Sequence, residues 1–346
     1  MKTILITGGC GFIGSHLSLF LKQKKYKVIV VDNLSIGKKI LFRGSKFYKT
    51  NLNNKKKLDQ IFKKYNFEAV FHLAGLSKLT ESFKKKNLYK ENNISCTKNI
   101  IDLIKKYKVK YFIFSSTAAV YGGQKKFPIN ENAKLKPISY YGKTKLICEN
   151  LIKKNSLKKK FKAICLRYFN VVGSNFKNKL GEIHNPPIHL IPIMVKNVLK
   201  NKPLDLRLNF KTKDGSGIRD YVDVNDIVNA HYLSLIKMKK IRRSFTAINL
   251  GSRKSYSAKN ILVLIKKEFR NKKIKIIFSK KKKGEPDKLL ASSKLAKKIL
   301  NWKPKKNITY SLKNMIAWEK YKIINQSKFF SSKIPIDPVL SRNKTA

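Results

Sequence analysis

Tyr141 and Lys145 stand four residues apart in Tyr141-Gly142-Lys143-Thr144-Lys145, so on a helix both side chains emerge on one face. A free tyrosine has a pKa of about 10, and only about a thousandth of it is phenolate at neutral pH. An ammonium about 4 Å away, at an effective dielectric constant of about 20, favours the phenolate by roughly 4 kcal/mol, or some three pKa units. The pair is therefore a candidate general base for work near neutrality. Ser115-Ser116-Thr117 closes the preceding apolar run and offers hydroxyls to the same reacting centre. On so lysine-rich a helix the spacing alone also arises by chance.

A second constellation precedes it. In Thr7-Gly8-Gly9-Cys10-Gly11-Phe12-Ile13-Gly14, glycines at 8, 11 and 14 follow an apolar run and open a helical stretch. Such glycines let the backbone turn tightly and approach a pyrophosphate, and the helix N-terminus supplies free N–H groups and partial positive charge. Asp32 closes the next apolar run, Val28-Ile29-Val30-Val31. A carboxylate there accepts from ribose hydroxyls and repels a 2′-phosphate, which favours NAD over NADP. An ordinary turn with Asn33 would explain the same aspartate without a cofactor.

The elements that must position these groups are legible as alternation. Apolar runs at 3–7, 27–31, 46–48, 69–73, 111–115 and 162–167 read as strands buried on both faces. Helical stretches at 12–24, 55–65, 92–107 and 141–155 separate them. This predicts an α/β fold, a Rossmann-type doubly wound parallel sheet over residues 1–175. Turn-rich punctuation at Asn185-Pro186-Pro187 and Asp214-Gly215-Ser216-Gly217 breaks the rhythm. A smaller C-terminal α/β substrate lobe is expected over 176–324, with some chain returning to the first domain, and a mobile tail over 325–346.

The 79 Lys+Arg against 19 Asp+Glu give a net charge of +60. Counterion release would draw such a chain to nucleic acid. However, Lys runs such as Lys55-Lys56-Lys57 and Lys84-Lys85-Lys86 recur along the whole sequence, as a drift in base composition would leave them, and nucleic-acid readers concentrate Arg on one face. No specific nucleic-acid partner is expected, and the field favours an anionic substrate. No apolar run reaches the ~20 residues of a membrane span. Cys10, Cys96, Cys148 and Cys165 are scattered without metal-ligand spacing. They read as reduced thiols of a cytoplasmic protein without a metal site.

Taken with Phe71-His72-Leu73-Ala74-Gly75-Leu76, Leu166-Arg167-Tyr168-Phe169-Asn170 and Thr212-Lys213-Asp214-Gly215-Ser216-Gly217-Ile218-Arg219-Asp220-Tyr221-Val222, the sequence resembles the extended short-chain dehydrogenase/reductase superfamily. Within it the likeness is to the UDP-glucose 4-epimerase (UDP-galactose 4-epimerase) family, from residue 1 to about 321. The resemblance implies bound NAD and a UDP-sugar substrate. Tyr141 would act as base on the sugar 4-hydroxyl, with Lys145 on the nicotinamide ribose and Thr117 as the hydrogen-bonding hydroxyl. It places the cofactor against Gly8, Gly11, Phe12, Ile13, Gly14, Asp32, Asn33, Asn51, Leu52, Leu73, Ala74, Gly75 and Tyr168. It places the substrate against Asn170, His189, Leu190, Arg219, Glu285 and Leu289 besides Thr117 and Tyr141. A homodimer is also implied, for which Ile94, Ile101 and Ile104 of one helix and Leu151 and Ile152 of another would supply apolar faces.

The chain departs from that pattern at three places. Asn51 stands for the usual Asp, Ser77 for a frequent lysine (with Lys78 one residue late), and Lys282 and Glu285 for an Arg and an Asp. Related dehydratases carry an Asp-Glu pair after the strand-end Thr, and decarboxylases a Glu. Here Ala118 and Ala119 follow Thr117 and can transfer no proton. What remains is epimerisation, and the resemblance implies UDP-glucose and UDP-galactose as the pair interconverted at C4. The alternatives are a UDP-N-acetylglucosamine or UDP-glucuronate 4-epimerase, or another NAD-dependent sugar-nucleotide-modifying enzyme of the same superfamily, and the resemblance puts Leu289 at the position whose size limits the group at sugar C2.

Overall fold

The computed structural model describes residues 1–158, 161–282 and 284–330. The six expected strands form as β1 (Thr3–Thr7), β2 (Lys27–Asp32), β3 (Lys46–Lys49), β4 (Phe67–His72), β5 (Tyr111–Thr117) and β6 (Lys162–Tyr168). After them come β7 (Asn170–Val172), β8 (Leu204–Leu208), β9 (Ile218–Asp223), β10 (Phe245–Leu250), β11 (Ser255–Ser257), β12 (Ile276–Lys280) and β13 (Lys288–Leu289). The main sheet runs β10-β6-β5-β4-β1-β2-β3, and every neighbouring pair in it is parallel. The order reverses between β1 and β4, which opens a crevice beyond their carboxyl ends. The seventh strand, β10, comes from beyond residue 175 and extends this sheet beside β6.

Among the described residues twelve α-helices accompany these strands: α1 (Phe12–Gln23), α2 (Lys55–Lys64), α3 (Leu79–Lys84), α4 (Lys86–Tyr89), α5 (Cys96–Lys106), α6 (Tyr140–Leu157), α7 (Leu190–Leu199), α8 (Val224–Met238), α9 (Ala258–Glu268), α10 (Lys294–Leu300), α11 (Ile308–Ile324) and α12 (Gln326–Phe330). Successive strand residues point to opposite faces, and in β1 and β2 both faces are apolar. Ile4, Ile6, Val28 and Val30 pack under Leu17 and Leu21 of α1 and Ile227 and Leu235 of α8. Leu5, Ile29 and Val31 pack under Leu58 and Phe62 of α2, Ile100 of α5 and Ile152 of α6. Each such side chain contributes roughly 1.5–3 kcal/mol on burial.

Two expectations change here. The helix expected over 92–107 is α5 preceded by a π-helical stretch, Lys90–Ser95. Of the residues named for dimer pairing, Ile101, Ile104 and Ile152 lie in the chain's own core, and Ile94 and Leu151 pack against it. Ile101, Ile104 and Ile152 are thus taken up by intramolecular packing, whereas Ile94 and Leu151 stay half-buried.

The lobe has its own core of Ile191, Met194 and Val195 from α7, Leu204 and Leu206 from β8, Ile261 and Ile265 from α9, and Leu312 and Met315 from α11. Strand β9 lies between β11 and β13 and also pairs with β7. The segment expected as a mobile tail begins instead with α12, whose Phe329 is buried against Trp318, Leu41 and Leu180. Its remainder, 331–346, lies outside the described residues.

Candidate active site

A cavity of about 640 Å³ opens beyond the carboxyl ends of β1, β2, β4, β5 and β6 and is closed on its far side by the lobe. Every residue singled out from the sequence for cofactor, substrate or catalysis borders it. On the sheet side these are Gly8, Gly11, Phe12, Ile13, Gly14, Asp32, Asn33, Asn51, Leu52, Leu73, Ala74 and Gly75. At Gly14 a Cβ would lie 2.1 Å from the Gly8 carbonyl oxygen, so no larger residue lets α1 start this close to β1. Gly11 caps α1 with no side-chain acceptor, and the first-turn amides are left to an anion.

Asp32 is 8% exposed at the end of β2. Its Oδ1 accepts from the Leu34 amide at 2.8 Å and its Oδ2 from the Cys10 amide at 3.0 Å. Burial pushes this carboxyl above its ordinary value, and the two amides oppose that. Each oxygen keeps a lone pair for a diol. A glycine cradle and an acceptor one strand away fit an NAD-type dinucleotide. Asn51 Oδ1 accepts from the Asn53 amide at 2.9 Å, and Asn33 Oδ1 from the Ser35 amide at 3.0 Å, so both also tie down their own loops.

Tyr141 and Lys145 lie in the first turns of α6, which Ser139 caps by accepting from the Gly142 amide at 3.1 Å. At Gly142 a Cβ would come 2.6 Å from the Ala119 carbonyl oxygen. Its absence lets the helix seat on the turn that follows Thr117. Tyr141 is 8% exposed and Lys145 4%.

The electrostatics differ from the expectation that Lys145 brings Tyr141 near neutrality. Lys145 Nζ donates to the Ser115 carbonyl at 2.9 Å and lies 4.7 Å from the Phe114 ring centroid. Burial pushes the Tyr141 phenol up to about 12, opposed by a hydrogen bond with Thr117. Burial also lowers the Lys145 ammonium. The spacing sets the shared face. The half-buried Ser115 carbonyl that accepts from it decides where the ammonium goes. Tyr168 borders the cavity with its hydroxyl turned inward, 2.6 Å from His231 Nε2.

On the lobe side stand Asn170, His189, Leu190, Arg219, Glu285 and Leu289. Arg219 donates to the Ile218 carbonyl at 2.9 Å, and burial lowers it. Leu289 pairs with Arg219 in the β13–β9 register and packs with Ala118, Tyr121 and Phe169, so it faces both a small core and the cavity. His189 Nδ1 lies 2.9 Å from Glu182 Oε1.

Several residues that sequence reasoning missed complete the site. Arg207 and Phe210 line the lobe wall, and Arg207 forms an ion pair with Glu285. Asn93 ties the Leu76 backbone to Thr144 of α6, at 2.8 Å through Oδ1 and 2.9 Å through Nδ2. Glu149, four residues after Lys145, accepts from Ser116 Oγ, from Arg167 Nε at 3.0 Å and from Arg167 Nη2 at 2.7 Å. Arg167 also donates to Tyr121 Oη at 2.8 Å, and Tyr121 to Asn249 Oδ1 at 2.7 Å. This buried network fastens α6 to β5 one residue before Thr117 and to β6 one residue before Tyr168.

The sequence profile of the NAD dependent epimerase/dehydratase family matches residues 4–251. A UDP-glucose 4-epimerase of Halalkalibacterium halodurans is 36% identical over 323 residues, 92% of this chain and 95% of that one. Among solved structures, a UDP-glucose 4-epimerase of Stenotrophomonas maltophila with bound NAD and formylated UDP-arabinopyranose aligns with a TM-score of 0.89. It is 26% identical and covers 94% of this chain and 99% of its own. The Bifidobacterium longum UDP-glucose 4-epimerase in complex with NAD+ and UDP gives a TM-score of 0.86 at 29% identity, over 94% and 100% of the two chains.

Proposed function

The chain belongs to the NAD dependent epimerase/dehydratase family, and we propose that its cavity interconverts UDP-glucose and UDP-galactose by oxidising and re-reducing C4 of the sugar. The observation that carries this reading is a single acid/base group at the reacting centre. Tyr141 stands beside Thr117 and Lys145, and alanines occupy the two positions after Thr117. One base suffices for epimerisation, whereas dehydration needs a second proton donor. NAD, held by the Gly8–Gly14 turn and Asp32, supplies a reversible hydride acceptor whose oxidised ring is positively charged. Tyr141 Oη takes the 4-hydroxyl proton as C4 becomes a ketone and returns it after the sugar has turned its other face. Thr117 orients that hydroxyl, Lys145 holds the nicotinamide ribose, and Arg219 meets the diphosphate with a guanidinium suited to phosphate oxygens.

Purified protein is expected to convert UDP-galactose without added oxidant. A panel of UDP-hexoses, UDP-N-acetylglucosamine and UDP-glucuronate included, tests this, and no turnover on any of them overturns it. Leucine at 289 supports partial discrimination at C2, because an apolar wall separates small groups by only ~1–3 kcal/mol.

We further propose a homodimer in a reducing, cytoplasmic setting. Ile147 of α6 is 42% exposed and Leu88 of α4 39% exposed, on helices that pack against each other, and Leu151, one turn on from Ile147, is half-buried. The four cysteines are free and buried. No helix among the described residues is long and apolar enough to cross a membrane. A monomeric mass by light scattering at micromolar concentration would refute the dimer.

A further inference from the structure

Glu182 lies on the segment between β7 and α7 and is 3% exposed. Its backbone carbonyl accepts from Trp318 Nε1 at 2.8 Å and from Lys322 Nζ at 3.1 Å, so α11 grips it from behind. Its side chain reaches toward the cavity wall. Oε1 meets His184 Nδ1 at 3.0 Å and His189 Nδ1 at 2.9 Å, and the two rings stand edge to face with centroids 6.0 Å apart. Oε2 is buried with no partner among the described residues.

His184 and His189 both line the cavity. His189 is the residue before α7 and makes no side-chain cap bond. Because its Nδ1 is committed to Glu182, Nε2 is left to the cavity, beside the first-turn amides of α7. A buried carboxylate is costly to desolvate unless it is paired. Here it is paired with two rings that face ligand space.

We propose that Glu182 is a positioning residue, whose carboxylate orients His189, and His184 beside it, so that Nε2 of His189 donates to the diphosphate of the substrate. The proposal rests on the reading that a UDP-sugar binds with its diphosphate against Arg219 and the start of α7.

The pairing also sets charge. Burial alone lowers His189, and the Glu182 carboxylate outweighs that and holds it above its ordinary value of 6.5. Glu182 is in turn held well below the usual carboxylate range, against its own burial, by the two histidines. The other charged groups packed round the cluster are Lys196 on α7 and the mutually paired Glu319 and Lys322 on α11. A group whose pKa is raised keeps its proton up to that higher pH. His189 therefore keeps its proton to a higher pH than a free imidazole, and its attraction for the diphosphate is lost as pH rises through that raised value.

The test compares the pH profiles of kcat and of kcat/KM for UDP-galactose in the wild-type holoenzyme, Glu182→Gln and His189→Asn. Without the carboxylate, burial acts unopposed. The alkaline fall of kcat/KM is then expected to move to lower pH in Glu182→Gln, with KM about tenfold higher where the wild type still holds the proton, the loss of one charge-assisted hydrogen bond, and kcat much less affected. His189→Asn, altered at a side chain 43% exposed, is expected to lose that limb while staying folded. An unshifted limb in folded Glu182→Gln, or a limb that survives in His189→Asn, overturns the proposal. So does activity that collapses with EDTA and returns with added zinc, which would give the cluster to a cation. Absence of turnover in the wild type would instead defeat the reading of the substrate.

Discussion

Replacing Glu149 by Gln tests whether the buried ion pair behind the site holds α6 in place. Glu149 is 2% exposed and Arg167 4%, so neither charge has water to fall back on. The substitution keeps the shape of the side chain but leaves the guanidinium without its counter-charge, against Tyr121 Oη alone. Breaking a buried pair from one side costs about 3–5 kcal/mol. At roughly 2–4 °C per kcal/mol for a chain of this order of size, thermal unfolding should come about 6–20 °C earlier. Equilibrium urea unfolding followed by circular dichroism should give the same loss as a lower midpoint at unchanged slope. Activity should fall as well, because the one remaining oxygen must serve both Ser116 and Arg167 while the new amide NH2 faces a guanidinium donor, which loosens the strand end next to Thr117. Replacing both residues by Met removes both charges, and is expected to recover most of the stability but not the rate. A loss under about 1 kcal/mol in Glu149→Gln, judged against the usual scatter of surface substitutions, would refute the reasoning. So would a double variant as unstable as the single one.

Tyr141→Phe removes the proton carrier alone. It should lower kcat by at least about a hundredfold while bound NAD, read by absorbance of the denatured protein, stays at wild-type stoichiometry. Because burial holds the phenol up to about 12, the Tyr141 ultraviolet titration should move to lower pH when NAD is bound, and an equal midpoint with and without NAD would contradict the assigned role. Asp32→Ala should narrow the preference for NAD over NADP in binding titrations, since it removes both the ribose acceptor and the repulsion of a 2′-phosphate. Leu289→Tyr should raise the ratio of kcat/KM for UDP-galactose over UDP-N-acetylgalactosamine by about tenfold or more, and an unchanged ratio would show that the gate lies elsewhere.

What could be read in the sequence was what is local in it. The glycine turn, the strand-end aspartate and the Tyr-x-x-x-Lys face are each contained in a few consecutive residues, and all of them reach the cavity. Glu149 and Arg167, by contrast, are 18 residues apart, and Arg207 and Glu285 are 78 apart. Neither pair carries a local signature, because only packing brings the partners together. The same limit explains Lys145. Helical periodicity put it on the face of Tyr141, but the Ser115 carbonyl near the end of β5 claimed its ammonium. Strand β10 was hidden for a related reason. Six residues among short lobe elements look like a lobe strand until β6 offers them a free edge.

The return of β10 to the main sheet has a consequence for how the molecule can move. The chain leaves the sheet after β6 to build the lobe, comes back in α8 and β10, departs again through β11 and β13, and returns once more in α10 against α8 and β10. The two walls of the cleft are stitched together by successive crossings and do not hang from one hinge. Wide opening would strain all of the crossings together, so the resting cleft is already close to its working width. A ketone formed within it would be held through its nucleotide while the sugar swivels, and would be reduced more often than it escapes. Such a cage predicts little leakage of oxidised sugar and a cofactor seldom stranded in its reduced form.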